Sequence, residues 1–235
     1  MIKRLFPATL IAGLAAGIVV SLTQVIFLLP LMDFAEFLEI GARSQDYVPP
    51  KGIFALAASN PERLLGTFAF DALTAIAFAM MLGGAIIISA KPISWKSGLI
   101  WGLGGWFAFS LAPAIGQPPS VPGAAYVDLA ARQLWWWFAV SSTSVGLVLL
   151  VFIGDWAGEC GIWAGVRKAW WPKVVGATLI LLPHIYGAPQ STQMAANIPP
   201  ELIRDFAFYS LVGTLAFWET MGAVLGFMLG RDETK

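Results

Sequence analysis

Six long apolar stretches separate the few charged residues of this chain, and they constrain its fold more than any other feature. A helix needs roughly 20 mostly apolar residues to cross the hydrocarbon core, because each backbone amide must be satisfied within the segment. The predicted spans run near residues 5–32, 65–90, 97–116, 130–154, 174–187 and 206–230. We therefore predict an all-α, polytopic integral membrane protein with a single transmembrane domain over residues 1–235.

The composition excludes a water-soluble globule and several functional classes. Only 12% of the 235 residues are charged and 58% are hydrophobic, about half the charged share of a soluble domain. Equal numbers of basic and acidic residues give no basic surface for nucleic acid. One Cys and one His are too few for a zinc finger or a multi-histidine metal site within this chain. No nucleotide-binding or hydrolase motif occurs, so we predict neither an enzyme nor a tightly bound cofactor.

The loop charges predict the orientation of the spans through the positive-inside rule. With a cytoplasmic N-terminus, the inner segments carry nine basic and four acidic residues, and the outer segments carry five basic and eight acidic residues. We therefore expect both termini in the cytoplasm and the first apolar run as a retained span. The polar segment 155–173 has Trp156, Trp163 and Trp170 at intervals of seven, which predicts a short helix along the inner membrane interface.

Prolines and arginines alternate at the outer ends of the spans. The odd-numbered spans are expected to end at Pro30, Pro113 and Pro183, and the even-numbered spans begin beside Arg63, Arg132 and Arg204. This pattern favours three consecutive hairpins, a parallel repeat of the kind from which transporters are often built. The alternative is that Pro and Arg are simply frequent at helix ends. Gly13 and Gly17 form a GxxxG pair that would let two helices approach closely.

Two acidic residues within the spans need a partner or a function, because charge is expensive in lipid. Asp71 lies about 13 Å from the outer end of the second span, and Glu219 lies about 21 Å from the outer end of the sixth. One interpretation is direct participation in transport. The other is a protonated acid, or one that is hydrogen-bonded to nearby hydroxyls such as those of Thr74 or Thr220.

Further candidate residues lie toward the outer face. His184 follows Pro183, where we expect the fifth span to break, so it is either a metal ligand or a hydrogen-bonded structural residue. Glu36 and Glu39 belong to the sequence DFAEFLE, which is either a solvated helical turn or an acidic mouth that concentrates divalent cations. Gln24, inside the first span, can hydrogen-bond across helices or ligate a cation weakly.

Four separated motifs resemble the CbtA family of predicted cobalt transporter subunits over nearly the whole chain. The first motif contains Gln24, Pro30, Ala35, Glu36 and Glu39. The others are LAPAIGQPPSVPG from Leu111 to Gly123, RQLWWW from Arg132 to Trp137, and PHIYGAPQ from Pro183 to Gln190. The resemblance implies an inner-membrane subunit that is linked to cobalamin metabolism and works beside a small, histidine-bearing one-helix partner called CbtB.

The resemblance and the residues together predict uptake of cobalt(II) or nickel(II), which accept imidazole and carboxylate ligands and which the sequence does not distinguish. The proposed ligands are His184, Asp71, Glu36, Glu39, Glu219 and Gln24. A different reading is a structural accessory subunit that packs against a larger membrane complex. An intramembrane enzyme with an unidentified cofactor is the least favoured reading.

Overall fold

Helices make up the regular structure of the part of the chain that the computed structural model describes, residues 2–41, 61–124, 127–151, 170–190 and 198–230. The helices are α1 (Ile2–Thr23), α2 (Leu29–Gly41), α3 (Pro61–Ile88), α4 (Trp95–Trp106), α5 (Ala112–Gly116), α6 (Leu129–Val151), α7 (Trp171–Tyr186) and α8 (Pro200–Leu229). A first π turn over Gln24–Leu28 joins α1 to α2, and a second over Phe107–Leu111 joins α4 to α5. The prediction of an all-helical chain is confirmed.

Five of the helical stretches are long and apolar enough to cross a membrane. They are Arg4–Leu38, Pro61–Ile88, Trp95–Gly116, Leu129–Val151 and Pro200–Leu229, and they coincide with five of the six predicted spans. The remaining span corresponds to α7, which has 16 residues. The count of six and the cytoplasmic termini stay predictions. Residues 152–169, which include most of the predicted interfacial helix, lie outside the described residues.

Side-chain size is distributed as expected for a protein solvated by lipid. Small residues fill the contacts between helices, and Ala12, Ala16 and Ala79 are fully buried. Large apolar side chains point outward instead: Leu73 is 70% exposed and Ile88 is 80% exposed. Lipid chains are as apolar as leucine, so membrane helices associate through small residues that allow close packing. This arrangement supports the membrane setting.

The contacts divide the chain into two compact units, here called the first unit (residues 1–106, 119–125 and 194–235) and the second unit (residues 107–118 and 126–193). In the first unit, α1 packs along α3 and α8, and α4 packs along α8. In the second unit, α6 packs along α7. The first and second spans pack together as the first predicted hairpin requires, and the arrangement of the other spans in hairpins stays a prediction.

Glycines explain why these helices pair as they do. Gly98 of α4 and Gly222 of α8 face each other so closely that a Cβ on either would strike the carbonyl oxygen of the other. In the second unit, a Cβ on Gly146 would lie 2.6 Å from the Gly176 carbonyl oxygen, and one on Gly176 would lie 2.8 Å from that of Gly146. The backbones touch at these points, and only a residue without a side chain fits.

All three outer prolines continue a helix rather than ending it, which corrects the expectation from sequence. The helix containing Pro30 runs on to Gly41, and those containing Pro113 and Pro183 end three residues later, at Gly116 and Tyr186. Proline lacks the N–H that would bond the preceding turn, and its ring crowds that turn. Both π turns end two residues before a proline, Pro30 or Pro113, so the wider turn accommodates the ring while the helix continues.

Candidate functional site

A polar cluster within the helices of the first unit surrounds Asp71. The carboxylate of Asp71, on α3, accepts hydrogen bonds from Ser21 Oγ at 2.7 Å and from Gln24 Nε2 at 3.2 Å. Ser21 is fully buried and Asp71 is half-buried. Both donors are neutral, so they orient the carboxylate without supplying a positive charge. The sequence prediction that Gln24 bonds across helices is confirmed, and Asp71 uses this residue and Ser21 rather than Thr74 or Thr220.

Close packing of α1 against α3 brings these donors within reach of Asp71. A Cβ on Gly13 would lie 2.6 Å from the Ile76 Cα, and one on Gly17 would lie 3.0 Å from the Ala72 Cα. Gly13, Gly17, Ser21 and Gln24 follow one another at intervals of four, four and three residues, which places them on one face of the helix. The GxxxG pair therefore sets the distance at which the polar end of this face meets Asp71.

The first π turn begins at Gln24 and is anchored on a further helix. The Leu29 N–H donates to the Gln24 carbonyl oxygen five residues earlier, which is the hydrogen-bond spacing of a π turn. Phe27 within the turn stacks on Tyr209 of α8 with ring centroids 5.0 Å apart. Single π turns inside α-helices occur frequently at functional sites. Here the turn places Gln24 at a fixed position against Asp71.

Glu36 forms an ion pair with Arg63 in the first unit. The Arg63 guanidinium donates to both carboxylate oxygens, at 2.9 and 3.2 Å, and joins α2 to the start of α3. The Arg63 and Glu36 side chains are 36% and 32% exposed, so solvent screens the pair only in part. Glu39 lies one turn further along α2, and its side chain is outside the described part. Glu36, one predicted ligand of the acidic mouth, is therefore already paired with Arg63.

Glu219 lies at the crossing of α8 and α4. A Cβ on Gly102 would lie 3.3 Å from the Glu219 Cα, so the backbones are in contact at this level. Glu219 is half-buried, and its carboxylate forms no hydrogen bond or ion pair with any residue in the described ranges. It differs in this from Asp71 and Glu36, each of which is held by named donors.

His184, the single imidazole of the chain, lies near the end of α7 in the second unit. Its ring is in edge contact with that of Trp135 on α6, with centroids 6.3 Å apart. His184 Nδ1 and Trp135 Nε1 are both buried without a hydrogen-bond partner in the part of the chain that the structure describes. His184 as a residue is half-buried, and its Nε2 atom, unlike Nδ1, is not among the buried, unpartnered atoms of the described residues.

Segments from three of the four sequence motifs meet at this point of the second unit. A Cβ on Gly116 would collide with the Trp135 ring and would lie 3.0 Å from the Ala188 Cβ. The Gln117 side chain donates to the Pro189 carbonyl oxygen at 3.4 Å. The proline-rich turn, the tryptophan run and the PHIYGAPQ segment therefore form one packed cluster around His184.

The comparison with known families decides the assignment. A family model described as "Probable cobalt transporter subunit (CbtA)" matches residues 2–230, nearly the whole chain. The chain belongs to the CbtA family. No curated protein and no solved structure matches it. Membership in CbtA confirms the resemblance carried by the four motifs and favours a transporter subunit over a purely structural accessory role.

The CbtA chain does not assemble a complete metal site from its own acids, His and Cys within the described residues, because no three of these side chains converge there. Among the predicted ligands, the structure brings together Asp71 and Gln24 in the first unit. It pairs Glu36 with Arg63 and leaves Glu219 at a separate helix crossing. A description as a subunit implies further chains.

Three side chains that shape the site were not predicted from the sequence of this CbtA member. Ser21 donates to Asp71, Arg63 forms an ion pair with Glu36, and the ring of Trp135 is in edge contact with that of His184. A signal existed for Ser21, because it continues the helical face of Gly13 and Gly17. None existed for Trp135, whose position in a run of three tryptophans is equally typical of an interfacial belt.

Proposed function

We propose that this chain is the membrane subunit of a system that takes up cobalt(II) across the bacterial inner membrane for cobalamin metabolism. The observation that carries the proposal is the Asp71 carboxylate, held within a span by Ser21 and Gln24. Both donors are neutral, and no basic side chain of the described residues pairs with this carboxylate. A fixed acid without a basic partner inside a membrane helix is suited to a passing cation.

The Asp71 cluster supplies oxygen ligands of moderate strength. Gln24 donates through Nε2, so its Oε1 atom remains available to a cation beside the carboxylate. One carboxylate and one amide do not complete the coordination of cobalt(II) or nickel(II), and retained water or a second chain supplies the other ligands. Weak, incomplete binding suits transport, because the ion must also leave the site.

Glu36 and Glu39 collect cations at the outer end of the first span. The guanidinium of Arg63 competes with a metal ion for Glu36. An arriving divalent ion displaces it, while Glu39 offers a second carboxylate one helical turn away. Arg63 in this way keeps the outer acids from holding the ion so tightly that it cannot move on.

His184 provides a nitrogen ligand for the transported ion, and Glu219 provides the last acid that the ion meets before the cytoplasm. A small one-helix subunit with histidines, of the CbtB kind, supplies further imidazoles, since cobalt(II) accepts imidazole and carboxylate in flexible coordination. The proposed chain has six spans and both termini in the cytoplasm. Inward movement of two positive charges releases about 4.6 kcal/mol of electrical free energy per 100 mV of membrane potential.

Uptake of cobalt by cells that express this chain with a CbtB-like subunit tests the proposal. Asp71→Asn keeps the size of the side chain and removes its charge, and His184→Ala removes the imidazole. We expect each to reduce uptake at least tenfold, roughly the lower limit for loss of a metal-site residue. Asp205→Asn is the matched control, because the Asp205 side chain is 43% exposed and, among the described residues, bonds its neighbour Arg204 at 3.0 Å. Unchanged uptake in both site variants contradicts the assignment.

A further inference from the structure

Two buried ring nitrogens that lack partners share one small region of the second unit. In the described ranges, the buried side-chain polar atoms without a partner are Trp135 Nε1, Thr143 Oγ1 and His184 Nδ1. Thr143 lies eight residues from Trp135, about 12 Å along the helix, and its hydroxyl can rotate toward an acceptor. The nitrogens of Trp135 and His184 are fixed in planar rings that touch.

The hydrogen-bonding capacity of these two rings shows which kind of group would pair with their nitrogens. An indole N–H can only donate, whereas Nδ1 of a neutral imidazole donates or accepts. Trp135 is 4% exposed, so bulk solvent does not reach its N–H, and a direct bond to His184 is not formed. Leaving a buried donor unpaired is unfavourable. A single oxygen that accepts from both rings satisfies both nitrogens.

We propose that one buried water accepts hydrogen bonds from Trp135 Nε1–H and His184 Nδ1–H, so that Trp135 is the positioning residue of His184. A water molecule suits two buried nitrogens because its oxygen has two lone pairs for two donors. Two ordinary hydrogen bonds to one oxygen join nitrogens that are about 5 Å apart. Ring centroids at 6.3 Å allow that separation.

In the proposed arrangement the water accepts from Nδ1, so the neutral ring of His184 is the Nδ1–H tautomer. With the proton held on Nδ1, the lone pair of the imidazole is on Nε2. Metal-bound histidines generally donate their other ring N–H to an acceptor, which sets both the tautomer and the orientation of the ring. This consequence for metal binding rests on the proposed function, whereas the water and the tautomer do not.

The chain contains a single histidine, which makes the test direct. The full chain, labelled with 15N-histidine and reconstituted in lipid, gives an NMR spectrum with one imidazole. We expect the Nδ1–H tautomer for the neutral ring, with magnetisation transfer from water to this proton. The Nε2–H tautomer, or an Nδ1 proton that receives no transfer from water, overturns the proposal. This measurement on the unmutated chain decides the matter even where a variant does not fold.

Trp135→Phe removes the indole N–H and retains an aromatic ring against Gly116. We expect the ratio of Nδ1–H to Nε2–H tautomers to fall about fivefold, the change for loss of one ordinary hydrogen bond. Trp137→Phe is the matched control, because Trp137 is on the same helix and 60% exposed, and its spectrum should not change. An unchanged ratio in Trp135→Phe contradicts the positioning role.

Cobalt uptake by the same variants separates the two proposals. Loss of an outer-shell partner typically reduces metal affinity about 10- to 100-fold, so we expect the half-saturating cobalt concentration to rise by that factor in Trp135→Phe. A shifted tautomer with unaltered uptake supports the water site and contradicts the role of His184 as a metal ligand. An unshifted tautomer overturns the water site whatever the uptake.

Discussion

Gln24, the first residue of a π turn, donates its side-chain N–H to the Asp71 carboxylate at 3.2 Å. This bond joins the first span to the second. The glycine contacts on α1 fix the distance, and the π turn fixes the direction of the Gln24 side chain. Among the described residues, the Gln24 amide oxygen accepts no hydrogen bond and the Asp71 carboxylate has no basic partner. The packing of α1 against α3 therefore determines the position of the Asp71 carboxylate and the Gln24 amide, the two groups that could attract a cation.

The Gln24 bond makes a first prediction. Gln24→Leu removes one of the two donors to Asp71 and the free amide oxygen beside it. We expect a loss of about 1 kcal/mol in the free energy of unfolding, typical for one hydrogen bond, and severalfold lower cobalt uptake. Thermal unfolding in detergent and cell uptake measure the two effects.

The control for Gln24→Leu is Thr178→Val. The Thr178 hydroxyl is exposed and bonds only the Val174 carbonyl of its own helix, so its removal deletes a polar group without touching a contact between helices. Equal effects of the two substitutions would show that polarity alone, rather than the bond to Asp71, accounts for the result.

Helix packing at the GxxxG pair makes a second prediction. Gly13→Ala places a Cβ within 2.6 Å of the Ile76 backbone, so α1 and α3 must separate. We expect destabilisation of about 1–3 kcal/mol, the usual range for overpacking. Gly84→Ala is the matched control, because nothing lies within 4 Å of its added Cβ. We expect it to be neutral or to stabilise by up to about 1 kcal/mol through helix propensity. Thermal unfolding distinguishes the two, and a stable Gly13→Ala protein argues against the helix contact.

The pair of Arg63 and Glu36 makes a third prediction. Arg63→Gln frees the Glu36 carboxylate from its guanidinium. If the acidic mouth collects cations, the half-saturating concentration of cobalt for uptake should fall about two- to fivefold, which corresponds to a partly exposed ion pair worth up to about 1 kcal/mol. A higher half-saturating concentration would indicate that the pair serves the structure of the mouth rather than competing with the metal.

The double variant with Glu36→Gln is the control for the Arg63 prediction. Without the Glu36 carboxylate there is nothing for Arg63 to mask, so removing the guanidinium should have no further effect on the concentration dependence of uptake. If Arg63→Gln lowered the half-saturating cobalt concentration equally with and without Glu36→Gln, Arg63 would act on an acid other than Glu36.

Two adjacent residues of α6 make a fourth prediction. Ser142 donates its hydroxyl to the Leu179 carbonyl oxygen of α7, whereas the Thr143 hydroxyl is buried without a partner among the residues described. We expect Ser142→Ala to destabilise by about 1 kcal/mol, and Thr143→Val, which keeps the shape, to be neutral or stabilising. Unfolding of both variants under the same conditions measures the difference. The reverse order would assign the important bond to Thr143.

The sequence predicts the membrane fold because apolar length is a property of each segment alone. Five predicted spans coincide with helices for this reason. Pairing depends on which glycine faces meet, and every predicted span contains glycine, so the sequence does not distinguish the partner of Gly98. Proline is also ambiguous, because a π turn before Pro30 lets a helix continue where the local rule predicts an end.

The candidate site is predictable where a residue is unusual for its surroundings. An acid in a span and a single histidine are conspicuous, so Asp71 and His184 stand out. Ser21 is not conspicuous, because hydroxyls in helices usually bond their own backbone, as Thr9 and Thr23 do here. The bond of Arg63 to Glu36 requires two elements to meet across the intervening residues, and no spacing rule covers that separation.

Transport by the purified chain, reconstituted with its copurifying subunits in liposomes, tests the central role of Asp71 most directly. Cobalt entry driven by an imposed inside-negative potential is measured for the unmutated protein, Asp71→Asn and Asp71→Glu. We expect entry to be lost in Asp71→Asn and to persist at a reduced rate in Asp71→Glu, which retains the charge. Entry at the unmutated rate in a folded Asp71→Asn protein would contradict the account.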